Sequence, residues 1–377
     1  MEETAPTITF SSRKKTKLQQ LLVAWFREQA RVLPWRGTRD LYRIWVSEIM
    51  LQQTQVVTVI GYFNRFMERF PDLASLADAE EQDVLRMWEG LGYYRRARQL
   101  HAAAKEVVVR HDGQFPETFD GVLSLPGIGR YTAGAILSIG RDARLPILEA
   151  NTVRLLSRLV AYRGAVTSSA GQQLLWSTAE DLLPDEQVGQ FNQALMELGA
   201  LVCTPREPNC DECPLAKLCP TNERGLQTLI PAPKPRPRYE DSYEIALVLR
   251  RRDGRILLRR HLPDERWAGM WDFPRFSCDD PSHKNLEVHI QTHTGQTASE
   301  WHRLATLKHG VTRFRISLDV MQASIHRVQA SRFPRDVEFR WVKVMELAEV
   351  AMNVTGRKIA RQLAQHQEPT RRSAATR

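Results

Sequence analysis

Four of the chain's five cysteines fall in one short stretch: Cys203, Cys210, Cys213 and Cys219, spaced C-x6-C-x2-C-x5-C in ALVCTPREPNCDECPLAKLCP. Four soft thiolates in a single loop can hold a [4Fe-4S] cluster or a zinc ion. Zinc sites usually come as two short C-x2-C knuckles set far apart, so an iron–sulfur cluster is the first expectation. Zinc, a disulfide pair or ordinary thiols are the alternatives. A second chemically suggestive group is Leu125-Pro126-Gly127-Ile128-Gly129. Two glycines one residue apart permit a tight turn and the close approach of another backbone. A helix beginning near Arg130 would then direct its free amide groups outward, toward a phosphate. Gly127, Gly129 and Arg130 are therefore candidates for sequence-independent contact with a DNA backbone.

The elements that must carry these groups are mostly helical. Leu18, Leu21, Leu22, Trp25 and Phe26 repeat at helical spacing, as do Val56, Val59, Ile60, Phe63, Phe66, Met67 and Phe70. Gly90 and Gly92 end one helix in WEGLGYY, and Pro71, Pro116, Pro146 and Pro184 punctuate others. Residues 18–225 are expected to form a helical domain containing the cysteine loop, 203–219. Four prolines between Ile230 and Arg238 predict a semi-rigid linker over 226–240. Beyond it the pattern changes to strands: Tyr243–Arg250 and Arg255–Arg260 flank an Asp253-Gly254 turn, and Phe314–Ile325 alternates. Ala351–Gln365 reads as a closing helix. A smaller α/β domain over 241–368 follows, with disordered tails at 1–17 and 369–377.

Lys and Arg outnumber Asp and Glu by 53 to 44, which favours a polyanionic partner such as nucleic acid. No run of 18 apolar residues suggests a membrane span, and the polar N-terminal stretch lacks the apolar core of a secretory signal. Few cysteines argue against a disulfide scaffold. A soluble intracellular protein is expected.

Together these motifs resemble the endonuclease III superfamily of helix–hairpin–helix DNA glycosylases. Within it, Pro34-Trp35-Arg36, Trp45–Val56 (WVSEIMLQQTQV), Trp88–Tyr94 (WEGLGYY) and Phe191–Ala194 (FNQA) resemble the adenine DNA glycosylase, or MutY, family. The resemblance spans roughly residues 18–275. It implies an all-α helix–hairpin–helix domain with one [4Fe-4S] cluster, followed by an α/β Nudix-like (MutT-like) domain. It also implies a monomeric enzyme acting on double-stranded DNA that carries a mispaired adenine.

Excising adenine requires a proton for the departing base and a negative neighbour for the sugar as it becomes cationic, once the base has left the stack. The resemblance makes Glu48 the general acid. Its neighbours Trp45, Val46, Ile49, Met50 and Leu51 should keep it protonated. Glu149 would stabilise the sugar cation, although the family pattern has Asp-Gly where this chain has Glu149-Ala150. The longer side chain shifts the carboxylate, and the added Cβ at 150 narrows the backbone options. Tyr131 occupies the position of the lysine that forms a Schiff base in lyase-competent relatives, implying a monofunctional enzyme. Arg36, Trp35 and Gln193 would contact the extruded adenine, while Gln52, Gln53 and Tyr93 would enter the helix near the lesion. Arg95, Arg96 and Arg98 are expected to meet phosphates.

In the second domain, Gly254–Arg260 and Trp267–Pro274 resemble a Nudix fold. The glutamate-rich metal-binding helix of Nudix hydrolases is replaced by SHKNLEVHIQTHTGQ, which implies lesion reading without pyrophosphatase activity. The family's Phe-Ser/Thr-His reader of 8-oxoguanine becomes Val311-Thr312-Arg313. Thr312 keeps a hydroxyl, Arg313 could donate to the lesion, and His309 could substitute for the lost histidine. Two rival readings remain: a bifunctional pyrimidine-lesion glycosylase and AP lyase, or a catalytically silent lesion-binding iron–sulfur protein.

Overall fold

The structure, a computed structural model, describes residues 10–233, 238–278 and 285–365. The chain divides into two compact units. One contains residues 10–78 and 99–233. The other contains 79–98 together with the described residues from 238 onward.

Among the described residues the N-terminal half is helical throughout. It forms α1 (Ser12–Gln29), α2 (Leu41–Leu51), α3 (Val56–Arg69), α4 (Leu73–Asp78), α5 (Glu81–Met87), α6 (Arg95–Arg110), α7 (Phe119–Leu123), α8 (Arg130–Arg141), α9 (Ala150–Leu159), α10 (Ser169–Asp181), α11 (Val188–Leu201) and the short α12 (Pro220–Glu223). Small residues let these helices approach closely. A Cβ at Gly189 would lie 2.4 Å from the Ser138 carbonyl oxygen, and one at Gly134 2.7 Å from that of Pro146. One core joins α1, α9, α10 and α11 through Leu18, Leu22, Leu156, Leu175, Phe191 and Leu198, and it reaches Cys203 and Leu215 of the cysteine loop.

Two boundaries differ from expectation. Residues 12–17, expected in a disordered tail, are the first turns of α1, held by a Lys15–Asp181 ion pair; residues 1–9 and 366–377 lie outside the described residues. The first part of the expected linker is packed down as well. Ile230 is buried, and its carbonyl and that of Gln227 accept hydrogen bonds from the Arg158 guanidinium. Residues 234–237 are not described.

The C-terminal unit holds a seven-stranded sheet: β1 (Glu240–Arg251), β2 (Ile256–Arg260), β3 (Trp271–Asp272), β4 (Arg275–Ser277), β5 (Ser299–Val311), β6 (Phe314–Ile325) and β7 (Phe339–Val342). Strands run β3-β2-β1-β6-β5, with β4 added on β1 and β7 on β2. Among the described strands β1 and β6 pair in parallel and the other strand pairs are antiparallel. The β1–β2 hairpin pairs Arg250 with Ile256 around the expected turn, where Gly254 has φ +81°. Each sheet face buries its own core, one containing Ile359 and Leu363 of α14 (Val354–Gln365) and the other Leu286 and Ile290 of α13 (Leu286–Thr294). Among the described residues no helix is long and apolar enough to cross a membrane.

Candidate active site

Glu48 lies on α2, whose residues from Leu41 to Met50 are all at least partly buried. Burial pushes its carboxyl up to about 7, and the nearby Glu149 adds to the rise; the Tyr131 hydroxyl and Arg36 oppose it. Tyr131, in the first turn of α8, donates to Glu48 Oε2 at 2.6 Å. Burial and the adjacent Glu48 hold the phenol well above its ordinary range, so it remains a donor.

Glu149 is the N-cap of α9. Its two oxygens accept from the backbone N–H of Thr152 and of Asn151, both at 2.8 Å, and the Asn151 side-chain amide adds a contact at 3.2 Å. Burial raises its carboxyl, against these N–H groups and Arg154, which favour the charged form. The longer side chain is thus accommodated as a capping residue. Ala150 is the first residue of the right-handed helix α9, with no positive φ. The expected backbone restriction at 150 does not arise, because this turn never needs a conformation reserved for glycine.

Both carboxyls and Tyr131 line one cavity of about 420 Å³, together with Trp35, Arg36, Gln52, Gln53 and Gln193. Residues from separate parts of the helical unit therefore converge. Glu197 was not singled out from the sequence, yet it organises one wall. Its buried carboxylate accepts from Arg36 (2.6 and 3.0 Å) and Arg31 (2.7 and 2.8 Å). Burial would raise it, but the two guanidiniums win and hold it at about 2. Its position four residues after Gln193 on α11 was the available signal.

Gly127 adopts φ +78°, and a Cβ there would fall 2.7 Å from that of Gln99. At Gly129, the N-cap of α8, an added Cβ would meet nothing within 4 Å. The first glycine is required by the turn itself, whereas the second leaves open space before the helix amides. Arg130 lies 3.9 Å over the Trp176 ring.

Tyr93, Thr312, Arg313 and His309 belong to the C-terminal unit and do not line the cavity. Thr312 and Arg313 form the two-residue turn between β5 and β6, closed by the Val311–Phe314 pair. Arg313 is exposed, 3.3 Å from Glu240. His309 is turned onto Arg275, whose guanidinium nitrogen lies 3.1 Å from Nε2. Burial and that cation push the ring down to about 4, leaving it neutral. Arg96, expected at phosphates, is instead buried, with its guanidinium over the Trp88 and Tyr93 rings. The described part of the region replacing the Nudix metal helix, α13, carries a single acid, Glu287.

The four loop cysteines line one small cavity with Leu155, Leu159, Val202 and Leu215. Burial pushes the Cys213 thiol up to about 12, and the neighbouring thiols add to it. Arg158, largely buried, donates to Cys203 Sγ at 3.2 Å. A buried cation aimed at sulfur suits thiolates that carry negative charge. Among the described residues, no group of three or more His, Cys, Asp or Glu side chains is gathered as a single-ion site.

The fold and the cavity define a helix–hairpin–helix glycosylase of base-excision repair. The profile of the HhH-GPD superfamily of base excision DNA repair proteins matches residues 46–180, and a NUDIX domain profile matches 245–362. A solved thermostable thymine-DNA glycosylase superposes with a TM-score of 0.50 at 28% identity, covering 56% of this chain and 98% of its own. An adenine DNA glycosylase of Mus musculus is 31% identical across 95% of this chain and 80% of its own length. One from Buchnera aphidicola (subspecies Schizaphis graminum) is 38% identical across 68% and 74%. The chain belongs to the adenine DNA glycosylase family and is a DNA N-glycosylase.

Proposed function

We propose that this chain excises adenine mispaired with 8-oxoguanine or guanine in double-stranded DNA and leaves an abasic site with the strand uncut. The observation that carries this reading is the pair of carboxyls in one buried cavity, each in a different environment. Glu48 meets apolar walls and one phenol, so it holds its proton near neutrality. Glu149 faces two backbone N–H groups and Arg154, which favour its charged form against the effect of burial. Glu48 gives its proton to the departing base. The Glu149 carboxylate stands against the cationic sugar, and Glu48, now ionised, takes a proton from the attacking water. Arg36, held by Glu197, and Gln193 orient the base, and Trp35 walls it. Tyr131 has no amine, which opposes a lyase step.

Cys203, Cys210, Cys213 and Cys219 would hold a [4Fe-4S] cluster. The apolar cavity they surround and the Arg158 contact fit a multi-atom anionic group better than one zinc ion. Such a cluster would tie the loop to the helical core; hydrolysis needs no electron from it. The enzyme is read as a monomer working in the cytoplasm, at the bacterial nucleoid. Thr312 and Arg313 remain the candidates for contact with the base opposite adenine, and His309, engaged by Arg275, is the weaker one.

The test is alkaline strand cleavage after incubation with duplexes carrying adenine opposite 8-oxoguanine, guanine and thymine. Cleavage at the first two and not the third is expected. Borohydride trapping of the enzyme on DNA would instead point to the lyase, and activity equally absent from wild type, Glu48→Gln and Glu149→Gln would point to a silent binder.

A further inference from the structure

The loop Trp88–Tyr94 turns on two glycines and holds one tyrosine in a conformation that residue disfavours. Gly90, Gly92 and Tyr93 have φ of 99°, 74° and 49°, and a tyrosine in the left-handed region persists only where its surroundings over-determine it. Part of that restraint is local. Trp88 Nε1 donates to the Gly92 carbonyl and Gly90 N–H to the Tyr94 hydroxyl, both at 3.3 Å. Tyr93 nonetheless stays 54% exposed as a residue. A rigid, exposed aromatic ring is suited to stacking on nucleic-acid bases.

A second restraint comes from α14 and the residues that lead into it. Arg357 donates to both oxygens of Glu89 (Nε 2.6 Å and Nη2 2.8 Å), and the Met352 N–H reaches Glu89 at 3.3 Å. Arg357 also donates to the carbonyls of Leu347 (2.6 Å) and Val350 (2.5 Å). The Arg357 and Glu89 side chains are only 13% and 16% exposed. A two-pronged pair of this kind fixes direction as well as distance. Nearby, Gln82 donates to the Gly269 carbonyl at 2.7 Å. Four residues before Tyr93, the chain is thus clamped to the unit that carries the Thr312–Arg313 turn.

We propose that Arg357 is a positioning residue: through Glu89 it sets the Tyr93 ring against the base stack, and so governs discrimination of the base opposite adenine. This rests on the adenine-excision reading above. The experiment measures single-turnover excision from duplexes with adenine opposite 8-oxoguanine and opposite guanine, alongside thermal midpoints. The variants are Arg357→Ala, Arg357→Lys, Glu89→Gln, Tyr93→Ala and the Arg357→Ala/Tyr93→Ala double. Arg86→Ala, in an exposed neighbouring pair, is the control.

Arg357→Ala and Glu89→Gln should lower the ratio of the two rates by about threefold to tenfold, with partial recovery in Arg357→Lys and no change in the control. The double variant should behave as Tyr93→Ala alone. An unchanged ratio, an equal fall on both duplexes that follows the folded fraction, or additive effects in the double variant would overturn the proposal. Should Arg357→Ala fail to fold, Glu89→Gln and Arg357→Lys carry the same comparison. Wild-type protein inactive on both duplexes sinks the proposed activity, and the inference with it.

Discussion

Glu48 shows how one side chain is tuned by what surrounds it. Its folded carboxyl titrates at about 7, and it must be protonated to serve as an acid. Single-turnover excision should therefore fall as pH rises through about 7. Glu48→Gln should lose about 10²–10⁴-fold in rate. In the unfolded chain the group releases its proton at the ordinary carboxyl value, so between that value and about 7 the folded state binds more protons and stability declines as pH rises. Glu48→Gln removes that decline. Its thermal midpoint should exceed wild type by more at about pH 8 than at about pH 5, and an equal difference at both would argue against a buried acid. Tyr131→Phe deletes the donor that favours the carboxylate, so the alkaline limb should move to higher pH. Apolar neighbours around Glu48 were legible in the sequence. The hydrogen bond to Tyr131, 83 residues away, was not, because only the packing of α2 against α8 makes it.

At the scale of elements, helix ends hold much of the chemistry. Glu149 caps α9 and lines the cavity at once, so charge and capping can be separated. Glu149→Gln keeps acceptor capacity and should cost excision rate with little change in melting. Glu149→Ala should lose both, with about 1 kcal/mol of stability from the missing cap. Equal melting of the two variants would show that the cap contributes nothing. The α7–α8 hairpin presents a similar division. Gly127→Ala is strained by its positive φ and by Gln99, and should destabilise by about 1–3 kcal/mol. Gly129→Ala should fold normally, and DNA affinity measured by anisotropy should drop only if a phosphate approaches there. The LPGIG motif announced the turn. Which glycine the fold itself needs depended on where Gln99 lies.

For the whole molecule, the excess of basic residues implies binding governed by phosphate contacts. Affinity for undamaged duplex should fall about 10³–10⁵-fold between about 50 and 200 mM salt if some six to ten phosphates are engaged. A flat salt response would remove the backbone-gripping role of the hairpin. The division into units sets a second expectation. Residues 79–98 pack with the C-terminal sheet unit, so a chain ending before residue 238 would leave Glu89 without Arg357 and should lose discrimination of the opposite base before it loses excision.

Sequence alone determined the class of each half, the cysteine loop, the two-glycine turn and the two carboxyls of the cavity with several of their neighbours. Hydrophobic period, turn chemistry and cysteine spacing are local properties that a linear chain displays directly. The tertiary structure alone decided how the surroundings of the two carboxyls differ, because burial and hydrogen bonding arise only when α2, α8 and α9 meet. It also revealed Glu197 behind Arg36, tolerated Ala150 within an ordinary helical turn, and buried Arg96 despite its place in a cationic run. Nothing local to WEGLGYY shows that its glutamate will meet an arginine 268 residues further on. Charge pairs across such distances are set by how elements pack, and the spacing of residues along the chain carries no record of them.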